Sequence, residues 1–183
     1  NQGTLRADTG SMYVGGWAWA GARFIDNIIN AAPSLANPAG GRIEVVNSSS
    51  YLEINSVGSF ENWGTITVSG GTVNVISPTT NLSSGTLTGG TWQVFANGTL
   101  RLPSSITTNA ATILLNGASA NIYVGGSGTT NAVATLVNNA TAGSLTIQNG
   151  QDFRPISDFT NAGVLTVGAG STFGISDATL PPE

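Results

Sequence analysis

Short runs in which apolar and polar residues alternate recur along the chain, each bounded by Gly, Asn or Ser: GTITV at 64–68, TVNVI at 72–76, GTLTG at 85–89, GTLRL at 98–102, TILLN at 112–116, NIYVG at 121–125, SLTIQ at 144–148 and VLTVG at 164–168. A period of two over so few residues predicts half-buried β-strands. The glycines that launch similar strands lie 21 apart at Gly64 and Gly85 and 20 apart at Gly143 and Gly163. A spacing near 20 residues is a solenoid signal.

A longer repetition supports it. At an offset of 160, Asn1 meets Asn161, Gly3 meets Gly163, Leu5 meets Leu165, Gly10 meets Gly170 and Ser11 meets Ser171, without a gap. A third copy runs from Asn62 to Val75. The fold expected is all-β, a right-handed parallel β-helix with about 20 residues per coil, about eight or nine coils and a rod length of ~40 Å at one strand spacing per coil. Alternation places Leu165 and Val167 in the lumen and Thr166 outside. Gly and Asn mark the corners, where positive φ is needed, and stacked corner asparagines are placed to hydrogen-bond along the rod. The chain begins and ends inside a repeat, as expected of a piece of something longer or of a unit that stacks on its neighbours.

Residues 1–176 read as one solenoid domain with a helical insertion at about 15–42, and 177–183 as a proline-rich tail. Within the insertion Phe24, Ile25, Ile28, Ile29 and Ala32 fall at helical spacing, with Asp26, Asn27 and Asn30 opposite and Pro33 as a stop. This predicts one short amphipathic α-helix on the flank of the rod. Residues 127–142 form a second excursion, expected as a protruding loop or a short helix.

Composition narrows the chemistry. The apolar fraction of 40% fills a core across 183 residues, while only 8% of residues are charged, against about 25% in ordinary domains. A surface of Thr, Ser, Asn and Gly is characteristic of secreted bacterial β-proteins, so an extracellular or cell-surface location is expected. Nine acids against five arginines give a net charge of −4, which argues against a nucleic-acid partner. The chain has no Cys, His or Lys. That removes thiolate nucleophiles, imidazole bases, Schiff-base lysines and N/S metal sites, so no cofactor, no metal and no enzymatic activity are expected. No apolar run approaches the ~20 residues of a membrane-spanning helix. The start, NQGTL, carries neither an initiator Met nor a signal peptide and is expected to be set by processing or by the choice of the fragment's limits.

The phrase of Asn161–Thr172, echoed at Asn1 and Asn62, resembles the repeats of large secreted bacterial surface proteins of the filamentous-haemagglutinin and autotransporter-passenger type. The resemblance covers most of residues 43–175 and the first 14. It implies an extracellular parallel β-helix with a role in adhesion, surface display or matrix structure, and no catalytic residues to carry across. The chain shows no secretion domain of the autotransporter kind.

Several side chains invite a functional reading. Tyr13, Trp17 and Trp19 share one parity and form a candidate glycan platform, weighed against packing beneath the expected helix, which is favoured. Glu44, Glu53, Glu61, Asp152 and Asp158 are the acids available for hydrolysis or calcium. They read better as solvated surface acids, with Arg154 paired to Asp152 or Asp158. Thr65 with Thr67 and Thr86 with Thr88 evoke an ice-binding array, but the regularity fails at Arg101, Leu114 and Val164. The sequons at Asn47, Asn81, Asn97 and Asn139 are as many as chance supplies. Finally, a rod that stops in mid-repeat exposes strand edges and lumen residues, here Leu5, Leu165, Val167, Phe173 and Ile175, as candidate assembly ends. The partners expected are copies of this chain end to end or neighbouring repeats of the same polypeptide, with polysaccharide binding or cleavage as the alternative function.

Overall fold

The structure is a computed structural model that describes residues 3–15, 28–29, 34–55 and 58–174. It is all-β, with parallel strands stacked as a β-solenoid of about 6 turns and about 23 residues per turn. The first sheet stacks Thr4–Ala7, Arg42–Val45, Thr65–Val68, the second half of Thr86–Phe95, the second half of Thr108–Asn116, Ser144–Gln148 and Val164–Val167, each parallel to the next. The second stacks Ser11–Gly15, Tyr51–Asn55, Gly71–Val75, Gly98–Leu102 and Asn121–Val124. A third, shorter wall comprises Leu35–Asn37 on Phe60–Asn62, then the first halves of the two long strands, Asn138–Asn139 and Thr160–Asn161.

Alternation along each strand becomes columns along the rod, because parallel pairing in register puts like positions over like. On the first sheet the lumen column runs Leu5, Ile43, Ile66, Trp92, Ile113, Leu145, Leu165. On the second it runs Met12, Leu52, Val73, Leu100, Ile122. All the interior members of both columns are at most 1% exposed, each contributing about 1.5–3 kcal/mol of burial against the entropy of ordering the chain. Trp92 is the largest side chain in this core, and its indole N–H donates to Gly89 O at 3.0 Å.

The corner between the third wall and the first sheet explains the repeated Asn-x-Gly phrase. Asn37 Nδ2 donates to Asn62 Oδ1 at 2.8 Å, Asn109 Nδ2 to Asn139 Oδ1 at 2.8 Å, and Asn139 Nδ2 to Asn161 Oδ1 at 2.7 Å. Each of the same donors also reaches a strand-start carbonyl, of Thr65, Ser144 and Val164. The stacked corner asparagines therefore do bond along the rod. The ladder has two segments, because Leu87 takes the register position opposite Asn109. Asn37 O accepts the N–H groups of Trp63 and Gly64, and Asn139 O those of Ala162 and Gly163. This doubled acceptance draws the backbones so close that a Cβ at Gly64 would lie 2.3 Å from Gly41 O, and one at Gly163 2.2 Å from Gly143 O. Glycine is required there by space, without a positive φ.

The structure corrects four expectations. The offset of 160 is spanned in six steps of 38, 23, 26, 21, 32 and 20 residues, so eight or nine coils of 20 become six longer ones. The rod shortens to about 30 Å at one strand spacing per turn. The helix expected over 22–32 falls mostly outside the described residues, and where it is described, at Ile28–Ile29, the backbone is a strand paired with Tyr13 and Val14. No helix occurs among the described residues. Residues 127–142 are neither one protruding loop nor a helix: 127–131 are exposed, with Asn131 bridging Tyr123, while Ala132, Val133 and Leu136 are buried in the core. Their apolar side chains close over the lumen beside Ile122. The 177–183 tail and Ile175 lie outside the described residues.

Candidate functional site

The most distinctive feature is the last turn. Val164–Val167 pairs with Ser144–Gln148 on one side, and no described residue pairs with its other side. Val164 N–H donates to Gly143 O at 2.9 Å and Gly168 N–H to Ile147 O at 2.8 Å. Because alternate residues of a parallel strand point their backbone groups to opposite neighbours, Leu165 and Val167 are left with N–H and C=O directed off the end of the rod.

The side chains there are apolar. Val164 is 59% and Val167 43% exposed, and Leu165 is half-buried against the core. Beside them Phe173 stacks on Phe153 at 5.6 Å between centroids and meets Phe159 edge-on at 5.0 Å. The terminal stretch Thr160–Phe173 carries no charge. Asn161 continues the ladder as an acceptor from Asn139, while its own Nδ2 meets no acceptor among the described residues. A solvent cap would present polar or charged groups here.

At the opposite end Thr4–Ala7 pairs with Arg42–Val45 on one side, and no described residue pairs with its other side. Arg42 N–H donates to Gly3 O at 3.0 Å and Val46 N–H to Ala7 O at 3.3 Å, so Thr4 and Arg6 direct their backbone groups off this end. Arg6 is held by Asp8 at 3.7 Å and by Glu44 at 3.8 Å. An open pocket of about 190 Å³, lined by Arg6, Asp8, Ser11 and Met12 among others, sits at the first corner. Gly10 and Gly170 turn the two end corners with φ of 87° and 70°, so first and last turns bend alike. The candidate ends Leu5, Leu165, Val167 and Phe173 are thus brought to the two ends of the rod.

The glycan platform is only partly visible. Tyr13 pairs in register with Glu53; its side chain, Trp17 and Trp19 lie outside the described residues. The acids are dispersed. Glu44 accepts from Arg42, with the closest ion-pair distance 2.6 Å, Glu53 accepts from Tyr51 OH at 2.8 Å, and Glu61 stands on the third wall. Arg154 makes no ion pair with Asp152 or Asp158 among the described residues, against expectation; the Asp152 carboxylate is instead turned to the Thr172 N–H of the next turn at 2.7 Å. No group of three metal-ligating side chains converges among the described residues.

Sequence reasoning missed two features of the long walls. One is a row of outward parity on the second sheet, Glu53, Asn74, Arg101 and Tyr123 on successive strands, in which Asn74 is buried beneath its neighbours. Asn74 Nδ2 donates to Tyr51 OH, and the Arg101 guanidinium lies 5.4 Å from the Tyr123 ring centre while donating to Gly125 O and Gly128 O. The row was hidden because its members are 21 to 27 residues apart in sequence. The other is Trp63, half-exposed, with its ring packed close against Gly89. The threonines do not form a lattice: Thr65, Thr91, Thr112 and Ser144 stack, but Thr86 and Thr88 stand on the third wall, and Gln93 and Leu114 interrupt the column after Thr67. Two sequons, at Asn81 and Asn139, are buried. Comparison with known proteins adds no relative: no protein-family model, no curated protein and no solved structure matches the chain.

Proposed function

We propose that the chain is an extracellular structural or adhesive β-solenoid, a stretch of rod continued along its axis as a subunit of a surface filament or matrix, or as part of the stalk of a large bacterial surface protein. One observation carries this reading: the last turn ends on an uncharged apolar rung whose outward backbone groups and Asn161 Nδ2 find no partner among the described residues. A rod built to stand alone in water would close that edge. The surface location rests on the low-charge, Cys-free and Lys-free composition and on the resemblance of the repeat phrase. Antibody labelling of intact source cells, with electron microscopy of the labelled material, tests it. Surface label on rods or fibres is expected; label that appears only after permeabilisation refutes the location.

A second reading, polysaccharide recognition along the flank, is favoured by the row of outward parity, Glu53, Asn74, Arg101 and Tyr123, with Tyr51 beside it. Saccharide binding that is lost in Tyr51→Ala plus Tyr123→Ala, and likewise in Trp17→Ala plus Trp19→Ala, would move the function to the wall of the rod.

A further inference from the structure

We infer that the occupant of the open last turn is the first turn of a second copy of this chain, docked head to tail in one register: Val164 beside Thr4, Leu165 beside Leu5, Thr166 beside Arg6 and Val167 beside Ala7. The inference rests on the axial-rod reading above and adds its partner and geometry.

The backbone sets the parity. Leu165 and Val167 offer N–H and C=O at one end, Thr4 and Arg6 at the other. In a parallel pair a residue pointing forward bonds to the two neighbours of its register partner. Leu165 then donates to Thr4 O and accepts from Arg6 N–H, and Val167 donates to Arg6 O. A slip by one residue would break this match and turn the lumen side chains outward. Inside, Leu165 meets Leu5 and Val167 meets Ala7, which extends the two inward columns by one member each. The following corners agree as well, with Gly170 and Gly10 in the same left-handed conformation at the same distance from their strands. At the preceding corner Gly3 arrives over Gly163, in keeping with a spacing that excludes a Cβ.

The contact is confined to the first sheet and its corners. On the second sheet the outer edge of Ser11–Gly15 already carries Ile28–Ile29. The assembly is heterologous and does not close on itself, so it propagates as a filament.

The absence of cysteine allows a clean test. Arg6→Cys and Thr166→Cys are prepared as separate variants, as are Thr4→Cys and Val164→Cys; all four positions are exposed. Mixed in pairs and oxidised over a concentration series, the two in-register pairs should cross-link. Neighbours on adjacent parallel strands sit about 4.8 Å apart, within the 4.4–6.8 Å Cα range of a disulfide. The diagonal mixture of Arg6→Cys with Val164→Cys lies beyond ~7 Å and should cross-link at least roughly tenfold more slowly. Val167→Pro removes one outward N–H without touching the inward ladder and should abolish cross-linking by Thr166→Cys. Dimers formed equally well by Thr166→Cys alone would overturn the inference in favour of tail-to-tail pairing. Absence of cross-links with dispersed rods in electron micrographs would overturn it while leaving the rod reading intact, and micrographs without rods would overturn both.

Discussion

Replacing Asn139 by leucine tests the asparagine ladder while keeping the branched side-chain skeleton. Asn139 is fully buried and makes three side-chain hydrogen bonds, accepting from Asn109 Nδ2 at 2.8 Å and donating to Asn161 Oδ1 at 2.7 Å and Val164 O at 3.0 Å. At about 1 kcal/mol net for each, their loss costs about 3 kcal/mol. The partners limit any further penalty. Asn109 Nδ2 retains Ser144 O at 3.3 Å, and Asn161 is exposed enough for water to replace its lost donor. A total of about 2–4 kcal/mol is therefore expected. Asn116→Ala is the control, since it removes a single exposed bond, from Asn149 Nδ2 at 2.8 Å, and should cost under about 1 kcal/mol. Urea midpoints at constant m measure both. If the two variants differ by less than about 0.5 kcal/mol, the ladder does not hold the corner and its recurrence in the sequence has another cause.

Other substitutions probe the remaining features. Gly64→Ala, whose Cβ would meet Gly41 O at 2.3 Å and Pro38 O at 2.6 Å, should destabilise by at least about 1–3 kcal/mol in thermal melts; Gly126→Ala, with nothing within 4 Å, should stay within about 0.5 kcal/mol. Trp92→Ala empties the largest lumen site and should cost about 3–5 kcal/mol, with loss of the near-UV signal of a fixed indole; a milder effect would mean that the neighbouring turns collapse into the space. Arg101→Leu removes the tie to the carbonyls of Gly125 and Gly128 and the contact with the Tyr123 ring. It should speed limited proteolysis within 125–130 without shifting the global midpoint, and an unchanged cleavage rate would show that the loop is held by other contacts.

Most strands of the first two sheets were legible because each carries its own alternation, although Arg42–Val45, Tyr51–Asn55 and the second half of Thr86–Phe95 were not among the runs found. All eight runs identified from periodicity lie on strands, GTLTG at 85–89 on the third wall, and GTLRL at 98–102 and SLTIQ at 144–148 match their full extents. The third wall was mostly missed. Its strands are two or three residues long, rich in Asn, and inward-facing at polar positions such as Asn62 and Asn109, so hydropathy gives no period to find. The count of turns failed for a related reason. Leu5 and Leu165 do share a column, as their offset implied, but steps of 38 and 32 residues are interleaved with steps of 20 to 26, and division by 20 cannot see them. The ends were legible as positions and not as chemistry. Which of their backbone groups point outward follows from bonding to the adjacent turn, which a strand pattern alone does not reveal.

Those unequal steps separate two histories within one molecule. A residue belongs to a turn by what lies above and below it, so the distance travelled between one stacked strand and the next is free to vary. The 38-residue first step and the 32-residue fifth leave and rejoin the first sheet without shifting its register. Material gained or lost at the corners leaves the stacked columns untouched, whereas a one-residue slip of a whole paired strand would turn its inward side chains out. Natural variation should therefore collect in exposed excursions such as 125–131, and the stack beneath them can remain a constant chassis on which different surfaces are carried.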